Sequence, residues 1–154
     1  MIAVISRVSS AALSVEGEVV SSIGKGLLIY LCAEKGDTSA DARKLAHKCA
    51  GLRIFEDENG KMNLDAASVG GEFLVVSNFT LAGELGSGFR PSFIRSEDPD
   101  PARRLVDEFA ERIRGAGHTV RQGVFGADMK IQNTADGPVT LCLRARGGKL
   151  LPLE

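Results

Sequence analysis

The segment Gly26-Leu27-Leu28-Ile29-Tyr30-Leu31-Cys32-Ala33 is the longest nearly continuous apolar run in the chain. Its length fits a β-strand and falls far short of the roughly 20 apolar residues that a membrane-spanning helix needs. An apolar run without alternation is typical of a strand that is covered on both faces. We therefore predict that Leu27 to Ala33 is a central strand of the fold.

The chain before this run predicts a meander of short strands. Ile2 to Val8, Ala12 to Val15 and Glu18 to Ser22 carry strand-forming residues, and Glu16-Gly17 is a hairpin signal between the last two. Turn glycines then separate this meander from the central strand. The first quarter of the chain is therefore expected to be sheet.

Two helices are predicted. The first runs from an N-cap at Asp37 or Thr38 to about Ala50, has its apolar residues on one face and is closed by the glycine that follows. The second runs from Pro101 to Gly115 and is also amphipathic. A long loop from Gly83 to Pro101 precedes it, and long loops inside compact domains are usually functional.

The remaining segments predict further strands. Asn59-Gly60 is a strong hairpin turn; the neighbouring acidic residues lack the spacing of a calcium loop. Glu72 to Asn78 is a second buried strand, and Arg144 to Glu154 is expected to be a poorly constrained tail. Three last strands are predicted at His118 to Gln122, Met129 to Thr134 and Val139 to Leu143.

These elements indicate one mixed α/β domain. Two helices cannot cover both faces of so many strands, so we expect a three-layer α/β/β arrangement with mostly antiparallel sheets. The length of 154 residues suits a single core. We assign residues 1–145 to the domain and 146–154 to a short C-terminal tail.

Composition restricts the function. The net charge of -1 excludes the overall positive field of a general nucleic-acid binder, so any RNA contact has to be local. The first residues lack the layout of a secretory signal, which predicts a cytoplasmic protein that does not enter a membrane. Three cysteines without a Cys-x-x-Cys pair indicate buried structural thiols, not disulfides or zinc ligands: Cys32, Cys49 and Cys142.

Familiar catalytic patterns are missing from the sequence. Neither glycine-rich nucleotide signature occurs, and no His, Cys and Asp cluster has metal-ligand spacing. His47 and His118 have no matching nucleophile, which favours structural roles for both. The sequence therefore predicts no metal and no cofactor.

Two motifs at strand ends stand out. Ser77-Asn78-Phe79-Thr80-Leu81 follows a buried strand, and Asp136-Gly137-Pro138-Val139-Thr140 opens the last one. Glycine permits close backbone approach, and an X-Pro bond can be cis, which fixes the direction of the adjacent carbonyls. Taken alone, the second motif reads as an ordinary turn.

In this order the motifs resemble the D-aminoacyl-tRNA deacylase family, whose usual forms are Ser-Gln-Phe-Thr-Leu and Asn-x-Gly-Pro-Val-Thr. The resemblance extends from Met1 to about Leu143. Further matching blocks are Ala3-Val4-Ile5 through Arg7-Val8, Gly24 to Leu28, Lys35 to Thr38, Leu52 to Asp57 with Lys61 to Leu64, Arg90 to Phe93, and Gly123 to Lys130.

The resemblance implies a small hydrolase that cuts the ester joining a D-amino acid, or glycine, to the 3′ end of tRNA. It places catalysis at Ser77, Asn78, Phe79 and Thr80, with backbone amides as oxyanion donors. It further implies a homodimer with active sites at the interface. In that dimer the cis Gly137-Pro138 pair enters the partner's site, its carbonyls hold the substrate ammonium, and Arg7 braces them.

Family positions near the terminal adenosine and the tRNA phosphates also carry over. Phe125 and Met129 match the adenosine positions, with plain core packing as the alternative for both. Lys130 and Arg90 are candidates for phosphate contacts, as is Arg95, for which a solvated face is the alternative.

The sequence departs from the family pattern in places. Asn78 replaces the usual glutamine, residues 135 and 136 are Ala-Asp, and Gly88-Phe89 stands where basic residues are frequent. Two other functions stay open at this stage. One is an esterase or peptidase with Thr80 as nucleophile, and the other is a non-catalytic module that binds the tRNA end.

Overall fold

The computed structural model describes residues 1–86 and 88–152. A 3₁₀ turn at Phe79–Ala82 follows β6. The other elements, in chain order, are β1 (Ile2–Val15), β2 (Glu18–Ile23), β3 (Gly26–Cys32), α1 (Ser39–Ala50), β4 (Phe55–Glu56), β5 (Met62–Leu64), β6 (Glu72–Ser77), α2 (Pro99–Gly115), β7 (Val120–Gln122), β8 (Met129–Arg146) and β9 (Lys149–Leu151).

The main sheet has seven strands in the order β7-β6-β3-β1-β8-β9, and β2 pairs with the second half of β1. The pairs β3–β6 and β6–β7 are parallel, and the other pairs are antiparallel. β3 lies inside the sheet and is buried along nearly its whole length. The central position predicted from its apolar run is confirmed.

The strand β1 bends from one layer into another. Its pairing with β8 shifts register between Ser6 and Val8 and again between Val8 and Ser10. Such bulges change which face the following residues occupy. Ala3 and Ile5 pack under the helices, whereas Ala11 and Leu13, although also odd-numbered, pack in the opposite layer. The two separate strands predicted before Val15 are therefore one continuous strand.

Two apolar clusters lie on opposite faces of the sheet. On β3, Leu27, Ile29 and Leu31 join the cluster that α1 and α2 cover. Leu28 joins the other cluster, between the main sheet and its curled-over part. Helices, sheet and curled sheet make three layers, so the predicted α/β class with two main helices is confirmed.

The first helix begins as predicted. Thr38 is its N-cap, and the Asp41 carboxylate accepts a hydrogen bond of 2.8 Å from the backbone N–H of Thr38. Gly51 ends the helix. The second helix begins at Pro99, two residues earlier than predicted, because Asp98 is its N-cap and the Asp98 carbonyl accepts a hydrogen bond of 3.0 Å from the N–H of Ala102.

The C-terminal part differs from the prediction. Met129 to Arg146 is one strand, not two, and β9 pairs with its end, so the expected poorly constrained tail from Arg144 is wrong as far as Leu151. Arg144 donates two hydrogen bonds to Glu34, and Arg146 donates one to Asp37. These partners lie more than a hundred residues away in sequence, which local patterns cannot show.

The length and hydropathy of the helices bear on membrane insertion. Among the described residues, no helix is long and apolar enough to cross a membrane.

Candidate active site

A cavity of about 890 Å³ opens where β3 and β6 end. Because these strands are parallel, their carboxyl ends meet at the same edge. The start of α2 and the segment after β7 close the other sides. The volume is in the range of cofactor-sized ligand sites. Six of the predicted site residues lie in its wall, namely Ser77, Asn78, Phe79, Thr80, Phe125 and Met129.

The wall is built around residues 77–80, the site turn. The backbone N–H of Asn78 donates to the carbonyl of Leu31 at 2.8 Å, which fixes the start of the turn to β3. The chain then makes one 3₁₀ turn, closed by the N–H of Gly83 on the carbonyl of Thr80 at 3.0 Å. Sheet and turn together hold the site-turn backbone rigidly at the cavity mouth.

Two amides of the site turn are free donors. The first N–H groups of a helical turn have no partner within the turn. Within residues 1–86 and 88–152, neither the N–H of Phe79 nor that of Thr80 has a hydrogen-bond acceptor. Both residues line the cavity. They are therefore available to an acceptor on a bound molecule.

The hydroxyl of Thr80 is hydrogen-bonded to an amide and not to a general base. It donates to the side-chain oxygen of Asn78, an amide oxygen that does not take up a proton at ordinary pH. Neither His47 nor His118 lines the cavity. Asn78, one methylene shorter than the usual glutamine, is thus engaged with Thr80.

The carbonyl of Phe79 receives two side-chain hydrogen bonds. The Ser96 hydroxyl donates at 3.0 Å, and the Cys32 thiol lies at 3.6 Å, with its single S–H shared with the carbonyl of Ala33 at 3.4 Å. Burial, together with the negative charge of Glu34, raises the pKa of the Cys32 thiol to about 11, so the thiol keeps its proton at neutral pH. The Phe79 ring is 59% exposed and packs edge-on against Phe93 with ring centres 5.2 Å apart.

The segment Gly137-Pro138 projects from the sheet. Thr140 of β8 pairs with Ser6, and Ala135 pairs with Val8, so the residues between them bulge out opposite Arg7. The Gly137–Pro138 bond is cis, and both residues are exposed.

Arg7 lies beneath this bulge and is only 5% exposed. Its Nε donates to the carbonyl of Asp136 at 3.1 Å, and its Nη1 donates to the carbonyl of Ile54 at 2.6 Å. Gly137 has φ +128°, and a Cβ there would come within 3.2 Å of the Arg7 guanidinium. The arginine and the glycine therefore fit each other closely.

The bulge lies far from the cavity of its own chain. Arg7 pairs with Leu27 at one end of β3, while Ser77 pairs with Leu31 at the other, and three strand spacings separate β8 from β6. Strand geometry then puts Gly137 about 20 Å from the site turn. Neither Gly137 nor Pro138 lines the cavity.

Comparison with known proteins decides the family. Residues 4–144 match the sequence profile described as D-Tyr-tRNA(Tyr) deacylase. The chain belongs to this deacylase family. It is therefore an enzyme, a hydrolase, as the motifs around Ser77 and Gly137 predicted.

Deacylases of several bacteria are similar over their whole length. The D-aminoacyl-tRNA deacylase of Geobacter sulfurreducens is 52% identical over 143 residues, which cover 93% of this chain and 94% of the relative. That of Heliobacterium modesticaldum is 50% identical over 149 residues, covering 97% and 99%.

Solved structures share the fold. A c-Myc DNA Unwinding Element Binding Protein superposes with a TM-score of 0.89 at 33% identity, covering 96% of this chain and 100% of that one. A probable eukaryotic D-amino acid tRNA deacylase superposes with a TM-score of 0.79 at 17% identity, covering 92% and 97%. The second likeness shows the fold alone.

Two residues predicted to meet the adenosine, Phe125 and Met129, both line the cavity. The Phe125 ring is partly buried, and the Arg103 guanidinium stacks 4.8 Å from its centre. Met129 joins the apolar cluster behind the cavity while also lining it. Met129 therefore packs in the core and also forms part of the cavity surface.

The predicted phosphate-binding side chains lie outside this deacylase cavity wall. Lys130 pairs with Asp128 at 3.1 Å, and Arg95 pairs with the buried Glu34 at 2.5 Å. Arg90 is exposed. The wall instead contains Lys35 and Arg103.

Sequence reasoning missed three residues of the wall. Cys32 is predicted as a buried structural thiol, Arg103 lies within the predicted second helix, and Ser96 lies within the loop from Gly83 to Pro101, with no individual site role predicted for any of the three. Each meets the site only through tertiary packing, and no local pattern marks it. Within the described residues, no cluster of His, Cys, Asp and Glu could hold a metal ion.

Proposed function

We propose that this protein hydrolyses the ester between a D-amino acid and the 3′-terminal adenosine of tRNA, releasing the amino acid and free tRNA. The observation that carries the proposal is the pair of unpaired amides at Phe79 and Thr80 in the cavity wall. Attack of water on the ester carbonyl converts its oxygen into an oxyanion. Fixed N–H donors stabilise that charge without reorganising.

An aminoacyl ester is already activated, so its hydrolysis does not require a strong base. Positioning the ester beside a water and two amide donors removes most of the entropic part of the barrier. The wall of the cavity contains neither histidine, and its Thr80 hydroxyl is occupied by Asn78. The site therefore fits backbone-driven hydrolysis better than nucleophilic catalysis by Thr80.

Recognition of the substrate ammonium is assigned to the Gly137 and Pro138 carbonyls of a second copy of the chain. The separation of about 20 Å within one chain prevents these carbonyls from serving their own cavity. One edge of β8 from Met129 to Leu143 has no partner strand among residues 1–86 and 88–152, so a surface is available for a homodimer. Arg7 holds the projecting segment in place.

The configuration of the substrate amino acid is then selected by steric exclusion. With the ammonium and the ester both fixed, exchanging the configuration at Cα moves the side chain from open space into rigid backbone. An L-amino acid clashes, a D-amino acid fits, and glycine has no side chain to clash. We therefore expect glycyl-tRNA, including tRNA for alanine that carries glycine, to be a substrate as well.

The tRNA end is held locally. Phe125 and Met129 provide a flat surface on which adenine can pack. Lys130 and Arg90 lie outside the wall but are exposed, and the surface pair of Lys130 with Asp128 can open to let Lys130 reach phosphates further along the acceptor end. Lys35 and Arg103 supply positive charge within the wall. Local contacts suit a chain of net charge -1 that meets aminoacyl-tRNA in the cytoplasm, where we place it.

The direct test compares two enantiomers on one tRNA. Purified protein is incubated with D-tyrosyl-tRNA and with L-tyrosyl-tRNA, and loss of the ester is followed over time. We expect D-tyrosyl-tRNA to be cleaved at least about a hundredfold faster, since a clash with fixed backbone costs several kcal/mol. Equal rates, or binding without turnover, would refute the proposal.

The Thr80→Ala variant separates backbone catalysis from a threonine nucleophile. The backbone amide stays, and only one hydroxyl hydrogen bond is lost, so kcat on D-tyrosyl-tRNA should fall by no more than about tenfold. Thr80→Ser, which keeps the hydroxyl, is the matched control. A loss above a thousandfold in the alanine variant, with an acyl-enzyme trapped in the wild type, would instead establish the nucleophile.

A further inference from the structure

We infer that Ser96 is a positioning residue of this hydrolase, acting with Cys32 on the carbonyl of Phe79 to orient and strengthen the Thr80 N–H as oxyanion donor. The inference rests on the proposed function. Under this inference, side chains as well as backbone hydrogen bonds fix the orientation of the peptide group in the site turn.

The chemical link is the peptide group between Phe79 and Thr80. Its C=O and N–H are two ends of one planar, conjugated unit. A donor on the oxygen draws electron density from the nitrogen, and the N–H becomes a better donor. The Ser96 hydroxyl lies 3.0 Å from this oxygen, and the Cys32 sulfur lies 3.6 Å from it.

Ser96 is itself held by the main chain. Its residue forms an isolated antiparallel bridge with Glu34, and its N–H donates to the carbonyl of Phe93 at 3.0 Å. On either side, Lys35 N–H donates to Arg95 at 2.9 Å and Glu97 N–H donates to Ala33 at 3.0 Å. The hydroxyl is thus fixed relative to the segment that extends β3. The site turn is held to the same strand by the hydrogen bond from the Asn78 N–H to the Leu31 carbonyl.

Cys32 supplies a second, weaker donor, whose single S–H is shared between the carbonyls of Ala33 at 3.4 Å and Phe79 at 3.6 Å. Its side chain is 1% exposed, and it occupies the last position of β3. The raised pKa of the thiol keeps the proton that a hydrogen bond to Phe79 requires. Donors from β3 and from the segment after Phe93 therefore meet on one carbonyl and leave its peptide plane little freedom.

A purely structural role for Ser96 makes different predictions. It would lower stability without touching the peptide that carries the Thr80 N–H, and a direct substrate contact would raise KM. A positioning role instead lowers kcat and leaves KM unchanged, because the strengthened N–H acts on charge that develops only in the transition state.

The test uses Ser96→Ala, with Ser96→Thr as the variant that restores a hydroxyl. Ser92→Ala is the control, since Ser92 lies in the same segment, pairs with Glu84 through its backbone and does not line the cavity. On D-tyrosyl-tRNA we expect Ser96→Ala to lower kcat about three- to tenfold with KM within twofold. Ser96→Thr and Ser92→Ala should stay within about twofold of wild type.

A second readout does not depend on activity. The carbonyl carbon of Phe79 and the amide nitrogen and proton of Thr80 are followed by NMR in selectively labelled protein. Loss of the Ser96 donor should move the Phe79 carbonyl and Thr80 amide signals upfield. Ser96→Thr should restore them, and Ser92→Ala should leave them in place.

The outcomes are distinct. Unchanged Phe79 and Thr80 signals, unchanged kcat, a rise in KM alone, or equal loss in Ser92→Ala would each overturn the role of Ser96. If the wild type cleaves no D-tyrosyl-tRNA, the proposed function fails, whereas the NMR shifts still decide whether Ser96 controls this peptide.

Discussion

Replacing Gly137 with alanine should lower kcat/KM on D-tyrosyl-tRNA by about a hundredfold or more. At φ +128° an L side chain is strained. The added Cβ would lie 2.8 Å from Cγ2 and 2.9 Å from the backbone nitrogen of Val139, and 3.2 Å from the Arg7 guanidinium. The segment has to shift, and under the proposed function a shift of about 1 Å in a carbonyl that holds the substrate ammonium is enough for a loss of this size.

The fold itself should survive this change. Residue 137 is exposed and lies outside both apolar clusters, so circular dichroism should stay near wild type, and the backbone strain should lower the thermal midpoint by only several degrees. Gly117→Ala is the matched control, because Gly117 also has positive φ but nothing lies within 4 Å of a Cβ there. Full activity in Gly137→Ala would contradict the assignment of the ammonium to this segment.

Replacing Glu34 with glutamine should lower the free energy of unfolding by about 2 kcal/mol at pH 7. The carboxylate is 1% exposed and accepts two hydrogen bonds from Arg144 and one from Arg95. Glutamine has one oxygen and presents an NH₂ group to these guanidinium donors. The loss should be seen as an earlier urea midpoint with an unchanged slope.

The effect of Glu34 should depend on pH. Burial alone raises the pKa of the Glu34 carboxyl, but the hydrogen bonds and charge of Arg144 outweigh it, and the pKa is lowered. A group with a lowered folded pKa stabilises the fold above its unfolded pKa of about 4.3 and loses that contribution as the pH falls. The gap between wild type and Glu34→Gln should therefore narrow when the pH falls from 7 to below about 4.

Glu111→Gln serves as the control for Glu34. Glu111 is 67% exposed and pairs with Arg114 on the surface of α2, where such pairs contribute about 0.5 kcal/mol or less. A gap between wild type and Glu34→Gln that stays constant with pH, or one no larger than that of Glu111→Gln, would contradict the account of Glu34.

Local sequence signals predicted the parts of the fold that depend on local physics. The apolar run at Leu27 placed a strand that is buried on both faces, and it proved central. The residues around Thr38 and Gly51 gave the limits of α1 because capping is decided within one turn. The Asn59-Gly60 signal likewise lies between two paired strands.

Other features depend on partners that are distant in sequence. Ser9 and Ser10 interrupt the apolar pattern of β1, yet its backbone continues to pair with β8 through two bulges. The end of the chain is ordered because Arg144 forms an ion pair with Glu34 and Arg146 forms one with Asp37. Neither pairing leaves a periodic signal in the sequence.

For the site, the motif at Ser77, which was recognised through family resemblance, lies in the wall of the cavity. The motif at Gly137 was also recognised, but its distance from that wall follows only from the strand order and register. Ser96 and Cys32 escaped notice because their role is a contact with a main-chain carbonyl, which residue type alone does not reveal.

The distance between the Gly137 bulge and its own cavity has a genetic consequence under the proposed arrangement. Each polypeptide completes its neighbour's pocket, so a defect in the bulge and a defect in the cavity need not add up when they lie on different chains. A heterodimer of one bulge mutant and one cavity mutant would contain one pocket in which both the bulge and the cavity are wild type. Two alleles that are inactive on their own would therefore complement each other.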